Sequence, residues 1–336
     1  MNLISLVGLV TLLGIAVALS YNFKQIKLRP ILWGLSLQFI FALIILRDDY
    51  LSFTGMGILG LLLLTYLLQK DDKKFGGRFQ SIFILATGGL AIGYGVNFLG
   101  ENIGIVLIVL LIIILLNSWL KWAQDYQRYI SALFVIVGIS YMIHNDITGQ
   151  YFFKTFSDKI AYFLSLSDYG AQFLFGNLTN AEHFFTAPSS SWPGFGFQFA
   201  FKVLPTIIFF GGFMSVLYYY GVMQKVIEAI SHFMRWTIGT SGAETLSCSA
   251  NIFVGQTEAP LLIKPFLDQM TKSELLTIMV GGFATIAGGV LAGYISMGIP
   301  AGHLIAASVM SAPAALVIGK IIYPETEHSV TAGDVA

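Results

Sequence analysis

Apolar segments about as long as a bilayer is thick recur along this chain, and they constrain its fold more than any other feature. Helices that cross a membrane need about 17 to 25 mostly apolar residues, because lipid offers the backbone no hydrogen-bonding partner. With their flanks counted, such segments lie at residues 3–20, 31–46, 53–68, 82–98, 103–120, 129–143, 197–220, 277–297 and 303–322. The sequence therefore predicts an all-α polytopic membrane protein with about nine transmembrane helices.

Composition supports this class and excludes several others. The 336 residues are 56% hydrophobic and 11% charged, whereas soluble domains carry roughly a quarter charged residues. A formal net charge of zero gives no electrostatic basis for binding nucleic acid. Cys248 is the single cysteine, so the chain forms no internal disulfide, and no residues are spaced as in a zinc site. No nucleophile, base and orienting group cluster in the sequence, so we expect that the chain is not an enzyme.

The distribution of cations predicts the orientation in the membrane. Lysine and arginine residues follow the first, third and fifth apolar segments, and the loop after the fourth has none. Because cytoplasmic loops carry an excess of these residues, the N-terminus is expected outside and the end of this chain in the cytoplasm. The expected location is the plasma membrane, which in a bacterium is the inner membrane.

A short polar group interrupts the apolar stretch between residues 241 and 290. It consists of Asn251, Gln256, Thr257 and Glu258, and Pro260 follows it. Amides and a carboxylate cost several kcal/mol in hydrocarbon unless they face protein, water or a ligand. Irregular backbone is tolerated at membrane depth only where it lines a cavity. The sequence therefore predicts a re-entrant hairpin of two short helical arms whose unwound tip is a binding site.

Two further segments have the pattern of helices that lie in the membrane interface. Residues 151–176 and residues 223–236 place apolar side chains at helical spacing with charged residues opposite. Between the first of them and the next span, Pro188 and Pro193 break a serine-rich loop.

Long stretches of the sequence resemble the concentrative nucleoside transporter family. The first hairpin of that family and the two helices after it are similar to NIFVGQTEAPLLIKPFL, GGFATIAGGVLAGYISMG and SAPAALVIGKIIYPETE in this chain. The resemblance extends back through FAFKVLPTIIFFGGFMSVLYYYGVMQ to about Gly194, and the first two spans resemble the family's opening pair. The resemblance implies half of an inverted-repeat transporter fold, with about nine transmembrane helices, one re-entrant hairpin and interfacial amphipathic helices.

The resemblance also implies a division of the chain. In the family the second span leads almost directly to an interfacial helix, whereas here about a hundred residues intervene. The expected parts are two family-like spans at 1–50, an inserted four-helix membrane region at 51–150, an interfacial helix and loop at 151–196, the transport-core half at 197–322 with its hairpin at 242–270, and a polar tail at 323–336.

A cation site is expected at the interrupted helices. A cation without its water needs several oxygen ligands, and an unwound helix supplies carbonyls. The residues alone make Asn251 and Thr285 candidates, because Thr285 lies between two glycine pairs that loosen its helix. The resemblance implies sodium, bound by the Asn251 side chain, the Val254 carbonyl, the Thr285 hydroxyl and carbonyl, and the Ile286 carbonyl.

A nucleoside is the substrate that the resemblance implies. A planar base has donor and acceptor edges that an amide and a hydroxyl can bind. By resemblance, Gln256, Thr257 and Glu258 face the base and Val290 packs beside it. If sodium organises the tip, ion and substrate binding are coupled, as symport requires. The sequence does not distinguish purine from pyrimidine nucleosides, and the resemblance further implies a homotrimer in contact with membrane lipid.

Other interpretations of the same residues stay open. Glu258 pairs with Lys264 or Lys202 in a purely structural alternative, and Glu244 is either family-like in function or stabilises a hairpin arm. Gln256 and Thr257 could cap the second arm, Thr285 could bond its own helix, and Asn251 could join the two arms. Proton-coupled nucleoside symport and a non-transporting fragment or assembly module are the alternative functions.

The resemblance ends where the sequence does. The family continues past the YPET turn into a second, inverted hairpin that supplies ribose-binding groups, and these residues contain none of it. Inverted-repeat transporters form their site where two halves meet. We therefore expect that this chain is incomplete and does not transport by itself.

Overall fold

The computed structural model describes residues 3–68, 87–88, 91, 103–120, 124–183, 194 and 196–332. These residues form helices and connecting segments without a strand, which confirms the all-α prediction. The chain divides into two compact units, one made of Met1–Leu35 with Lys154–Ala336 and the other of Ser36–Phe153. The second unit contains the predicted insertion at 51–150, and the functional division of the chain stays a prediction.

The helices are named α1 to α13 in chain order. They are α1 (Leu3–Ala18), α2 (Leu28–Leu46), α3 (Tyr50–Leu68), α4 (Ile103–Leu120), α5 (Gln124–His144), α6 (Gly149–Ser165), α7 (Ser167–Phe175), α8 (Phe199–Tyr219), α9 (Val222–Ile238), α10 (Gly242–Ala250), α11 (Lys272–Ala284), α12 (Gly288–Ser296) and α13 (Ala301–Ile322). The longest 3-10 helix is Ala259–Gln269.

Six stretches of the described chain are helical, long and apolar enough to cross a membrane. They are Leu28–Leu46, Tyr50–Leu68, Tyr126–His144, Phe199–Tyr219, Lys272–Ser296 and Ala301–Ile322. Two further apolar helices, Val7–Ala18 and Gly104–Asn117, are shorter. The chain is therefore a multi-pass membrane protein. The predicted span at 82–98 lies almost entirely outside the described residues, so the count of nine stays a prediction.

In the second unit, α5 packs between α3 and α4. Leu64 of α3 and Ala132 of α5 are buried in one apolar cluster, and Leu110 of α4 joins Val137 of α5 in another. Helices approach closely here because Gly60 has no side chain, and an ideal Cβ on it would lie 1.9 Å from Cδ1 of Ile139. Apolar packing is joined here by one polar contact, in which the Asn117 side chain of α4 donates to the Gln127 side chain of α5.

In the first unit, α13 packs against α1, α10, α11 and α12. Its Val317 and Ile321 are buried in one cluster with Ala16 of α1. An ideal Cβ on Gly319 would lie 2.8 Å from Cα of Thr277, so α11 and α13 touch backbone to backbone. Such close approach is typical of small residues between membrane helices. Helix α13 is therefore packed closely against α11, the first helix after the hairpin.

Helix α9 covers the second segment predicted to be an interfacial helix and leads into the hairpin. Its buried face includes Ile227 and Met234. At its end Arg29 donates from Nη2 to the Trp236 carbonyl at 2.8 Å, and Gly239 turns the chain at a φ of 81°. A cation on the last carbonyls and a left-handed glycine are common ends of helices. The next residues lead directly into α10.

The structure differs from the sequence prediction in the regularity of three helices. The interfacial helix expected at 151–176 is broken at Leu166 into α6 and α7, and the span expected at 277–297 is broken between α11 and α12. The second hairpin arm, Ala259–Gln269, is a 3-10 helix rather than an α-helix. Pro260 and Pro265 explain this difference, because each lacks the N–H that an α-helical bond needs.

We expect Gly319→Ala to destabilise the packing of α11 on α13. The added methyl group meets the backbone of Thr277, which cannot rotate away as a side chain would, so the cost is about 1–3 kcal/mol. Thermal unfolding of the purified chain should show a Tm lower by several degrees. Gly212→Ala in α8 is the matched control, because an ideal Cβ there meets nothing within 4 Å. An equal Tm for both variants would contradict the close packing.

Candidate functional site

Two interruptions of helical structure lie against each other in the first unit. Helix α10 ends at Ala250 and the chain turns through residues 251–258, while α11 ends at Ala284 and Thr285 is extended. An ideal Cβ on Gly288 would lie 2.2 Å from the Phe253 carbonyl oxygen, and one on Gly255 would lie 3.2 Å from Cβ of Ala287. The tip of the hairpin and the break between α11 and α12 are therefore in contact, which is the arrangement a shared site needs.

Asn251 is buried at this junction without a partner. The residue is 0% exposed, and neither its Nδ2 nor its Oδ1 has a hydrogen-bonding partner among the described residues. It lies beside the broken helix, since an ideal Cβ on Gly281 would be 3.4 Å from Nδ2. A buried polar group left unpaired costs about 1–3 kcal/mol, so such groups in folded proteins call for water, an ion or a ligand. The interpretation of Asn251 as a link between the two arms has no hydrogen bond to support it.

Backbone oxygens around Asn251 are also free. The carbonyls of Val254, Thr285 and Ile286 accept no hydrogen bond from any residue that the structure describes. The Thr285 hydroxyl donates to the Gly281 carbonyl at 2.8 Å, as the alternative interpretation of that residue expected. A hydroxyl that donates keeps its lone pairs for accepting or for binding a cation. The junction therefore offers oxygens of neutral groups as candidate ligands, and the Glu258 carboxylate lies on the same turn, since an ideal Cβ on Gly255 would be 2.4 Å from its Oε2.

The expected base-binding residues lie on the exposed side of the tip. Gln256 packs against the broken helix, because an ideal Cβ on Gly282 would lie 3.2 Å from its Cβ. Gln256, Thr257 and Glu258 are exposed, and Val290 is 45% exposed. These side chains offer donors and acceptors that converge at one end of the hairpin but are not enclosed within the described part of the chain.

The structure forms neither of the two ion pairs considered for Glu258, with Lys202 or with Lys264. Lys202 is paired with Asp168 at 2.6 Å rather than with Glu258. Within the described residues Glu258 forms no ion pair, and Lys264 is exposed. The carboxylate is therefore available to a ligand or to solvent.

An apolar cavity of about 440 Å³ lies beside the tip. Its lining comes from α6, α8, α9, α12, α13 and the turn after α10, and includes Phe163, Phe210 and Phe253. Ile252 and Gly288, from the two interruptions, also line it. The junction therefore borders an apolar space on one side and exposed polar residues on the other.

The base of the hairpin, where the chain enters and leaves it, carries a buried ionic network that the sequence analysis missed. Lys320 of α13 pairs with Glu244 of α10 at 2.8 Å and donates to the Ser273 hydroxyl at 3.0 Å. Glu244 is fully buried and its other oxygen accepts from the Ser241 backbone N–H at 2.8 Å. Of the two roles considered for Glu244, these contacts favour the arm-stabilising one. The available signal was Lys320 itself, a lone cation inside an apolar helix.

The polar tail is bound to the same end of the hairpin. Glu274 accepts from the Thr271 backbone N–H at 2.8 Å and from the hydroxyls of Ser329 and Thr331. Glu325 accepts from the Thr271 hydroxyl at 2.8 Å. The spacing of Thr271 and Glu274 is that of a capping box, which the sequence already contained. The network fixes the base of the hairpin while the tip stays open.

Comparisons with known proteins match several parts of the chain. Residues 7–52 match the family model described as "Na+ dependent nucleoside transporter N-terminus", and residues 200–301 match the one described as "Nucleoside recognition". An uncharacterized transporter of Haemophilus influenzae is 42% identical over 230 residues, which cover 68% of this chain and 52% of the relative. Sodium/nucleoside cotransporter 1 of Rattus norvegicus is 47% identical over 214 residues, which cover 63% of this chain and 29% of the relative.

A solved structure is similar over nearly the whole chain. The structure of CNTnw in an inward-facing substrate-bound state superposes with a TM-score of 0.60 at 31% sequence identity, and the match covers 99% of this chain and 55% of that one. The chain therefore spans about half the length of this structure and of the Haemophilus relative, and less of the rat cotransporter.

We expect loss of one partner in the buried ion pair to destabilise the fold strongly. Lys320→Met leaves the Glu244 carboxylate buried and unpaired, and such a loss costs about 3–5 kcal/mol. The double variant Glu244→Gln with Lys320→Met should recover part of the lost stability, because no unpaired charge then stays buried. Lys264→Met, at an exposed lysine, is the matched control. The measurement is denaturant or thermal unfolding of all four proteins, and a double variant no more stable than Lys320→Met would argue against the pairing.

Proposed function

The chain belongs to the concentrative nucleoside transporter family, and on this premise we propose that it carries the cation site and the base-binding half of a sodium-coupled nucleoside symporter. Because it spans about half of its relatives, transport, substrate and partners of the whole protein belong to the proposal. The proposed activity is uptake of a nucleoside driven by the sodium gradient.

The unpartnered Asn251 amide is the observation that carries the proposal. Sodium is a small cation that takes neutral oxygen ligands, and the amide oxygen, the Thr285 hydroxyl and the carbonyls of Val254, Thr285 and Ile286 are of that kind. The cation would offset the cost of burying Asn251 unpaired. It would also join the hairpin tip to the broken helix, since each interruption contributes ligands.

A nucleoside base is the ligand proposed for the exposed side of the tip. The Gln256 amide offers both a donor and an acceptor, Thr257 offers a hydroxyl, and Glu258 accepts a base N–H directly or through water. Val290 provides an apolar surface beside them. The resemblance places the ribose-binding groups in the half of the family fold that lies beyond this sequence. The tip residues are therefore proposed to hold the base alone.

Coupling follows from the contact between the two proposed sites. The cation ligands Asn251 and Val254 and the base ligands Gln256 to Glu258 belong to the same short turn. A cation that orders this turn lowers the entropic cost of binding the base, and by linkage the base strengthens binding of the cation. This coupling requires no change in the charge of Glu258. Relatives named as sodium cotransporters favour sodium over the proton-coupled alternative.

The finer architecture belongs to the same proposal. We infer nine full spans and one re-entrant hairpin, equal to half of an inverted-repeat fold, with the N-terminus outside and the end of this chain in the cytoplasm. The hairpin over 242–270 is supported by its short arms and the buried junction at its tip. A bacterial inner membrane and a homotrimer are also part of the proposal.

We expect sodium to stabilise the purified chain through Asn251. Replacing choline with sodium at fixed pH should raise the Tm of the unaltered chain, because a ligand that binds the folded state stabilises it by mass action. In Asn251→Ala the sodium concentration for half of this effect should rise by about tenfold or more, equivalent to about 1.4 kcal/mol. Asn145→Ala is the control, since that amide is exposed and donates to the Tyr141 carbonyl. Equal Tm values in sodium and choline for the unaltered chain would contradict the cation site.

We expect uridine to bind weakly to the same preparation in sodium, and Gln256→Ala to abolish that binding. The amide is the group in the tip that both donates and accepts, so its loss leaves the base edge unpaired. Equilibrium binding of radiolabelled uridine is the measurement, with Gln224→Ala in α9 as the control for loss of a side-chain amide. Undiminished binding to Gln256→Ala would rule out the proposed role of this residue.

A further inference from the structure

Ser308 of α13 holds the unwound tip of the hairpin. Its hydroxyl donates to the Ile252 carbonyl at 2.8 Å, across 56 positions of sequence. Ser308 is 3% exposed and Ile252 is 7% exposed, so the bond is shielded from water. The Ile252 carbonyl accepts no second hydrogen bond from the described residues. One side chain therefore satisfies this released carbonyl.

This bond differs from the usual fate of serine in an apolar helix. Such hydroxyls commonly return to a carbonyl of their own helix, as Ser311 does one turn later by donating to the Ser308 carbonyl at 2.7 Å. Ser308 donates to another element instead. Of these two serines in α13, Ser311 makes a contact within its own helix, whereas Ser308 joins the tip to α13.

The Ile252 carbonyl lies between the two hairpin residues proposed to bind sodium. Asn251 precedes it and Val254 follows two positions later. A carbonyl bound by Ser308 cannot turn toward the cation, and fixing its peptide plane restricts the orientation of the planes on either side. The next oxygen, that of Phe253, lies against Gly288. With the Ile252 oxygen bonded and the Phe253 oxygen packed against Gly288, the Asn251 amide and the Val254 carbonyl are the groups of this turn that we assign to the cation.

We propose that Ser308 is a positioning residue that sets the sodium affinity of the tip. It contacts neither the cation nor the base, and it acts by selecting which oxygens of the hairpin face the cation. This inference rests on the proposed function. Without the bond, the Ile252 carbonyl is buried and unpaired, and the turn relaxes away from the geometry that the cation needs.

The first test is a sodium titration of thermal stability with three variants. In Ser308→Ala the sodium concentration for half of the Tm increase should rise about tenfold, the loss expected for one buried hydrogen bond. Ser308→Thr should restore the value of the unaltered chain, because Ser308 lines the apolar cavity and an added methyl group has space there. Ser311→Ala, with its bond inside α13, should leave the value unchanged. A lower Tm in choline with an unchanged sodium midpoint for Ser308→Ala would show a merely structural contact and overturn the proposal.

The second test measures the tip without sodium. A thiol introduced by Thr257→Cys should react several-fold faster with a polar maleimide in choline when Ser308→Ala is also present, since the turn is then no longer held. Cys248 is fully buried, so the chain without Thr257→Cys gives the background. Should sodium fail to stabilise even the unaltered chain, the proposed function is contradicted and the labelling decides on Ser308 separately. Equal labelling rates with and without Ser308→Ala overturn its positioning role.

Discussion

Every oxygen released from a helix inside a bilayer has to find a partner, and this requirement organises the hairpin and its surroundings. Helices α10 and α11 end close to each other, and each ending frees carbonyl groups that a lipid environment could not satisfy. Because the two helix ends lie together, the carbonyl groups that need partners are gathered at one junction. There Ser308 satisfies one carbonyl, and Asn251 with several neighbouring oxygens has no partner among the described residues. The cation site that we propose at this junction depends on this single constraint.

The two ends of the hairpin are built for opposite purposes. At the base, Glu244, Lys320 and Glu274 are buried, Glu244 pairs with Lys320, and Glu274 accepts hydrogen bonds from the tail. At the tip, polar groups are either unpaired or exposed. Regions that bind ligands are drawn from the less satisfied parts of a fold, whereas saturated networks resist opening. The ionic base therefore allows the tip to remain poorly satisfied without loss of the whole hairpin.

Sequence reasoning located the two interruptions of helical structure but not the contacts that hold them together. Two helix interruptions could be predicted, one from the polar group between Asn251 and Glu258 and one from the glycine pairs around Thr285. Both signals are local, so they can be seen in the sequence alone. The 3-10 form of Ala259–Gln269 was also readable from its two prolines, although the sequence analysis expected an ordinary helical arm. The pairs Glu244 with Lys320 and Ser308 with Ile252 join residues 76 and 56 positions apart, and no periodicity reports such partners. Their recognition required the packing of α13 against the hairpin.

Helix α13 is fastened to the hairpin twice, through Ser308 near the tip and through Lys320 at the base. Twelve positions of α-helix separate these residues, a rod of about 18 Å. Because this segment of α13 is bonded to the hairpin at both ends, it cannot move away from the tip without also disturbing the Lys320 contact at the base. In any rearrangement that keeps both contacts, α13 and the hairpin therefore move as one body.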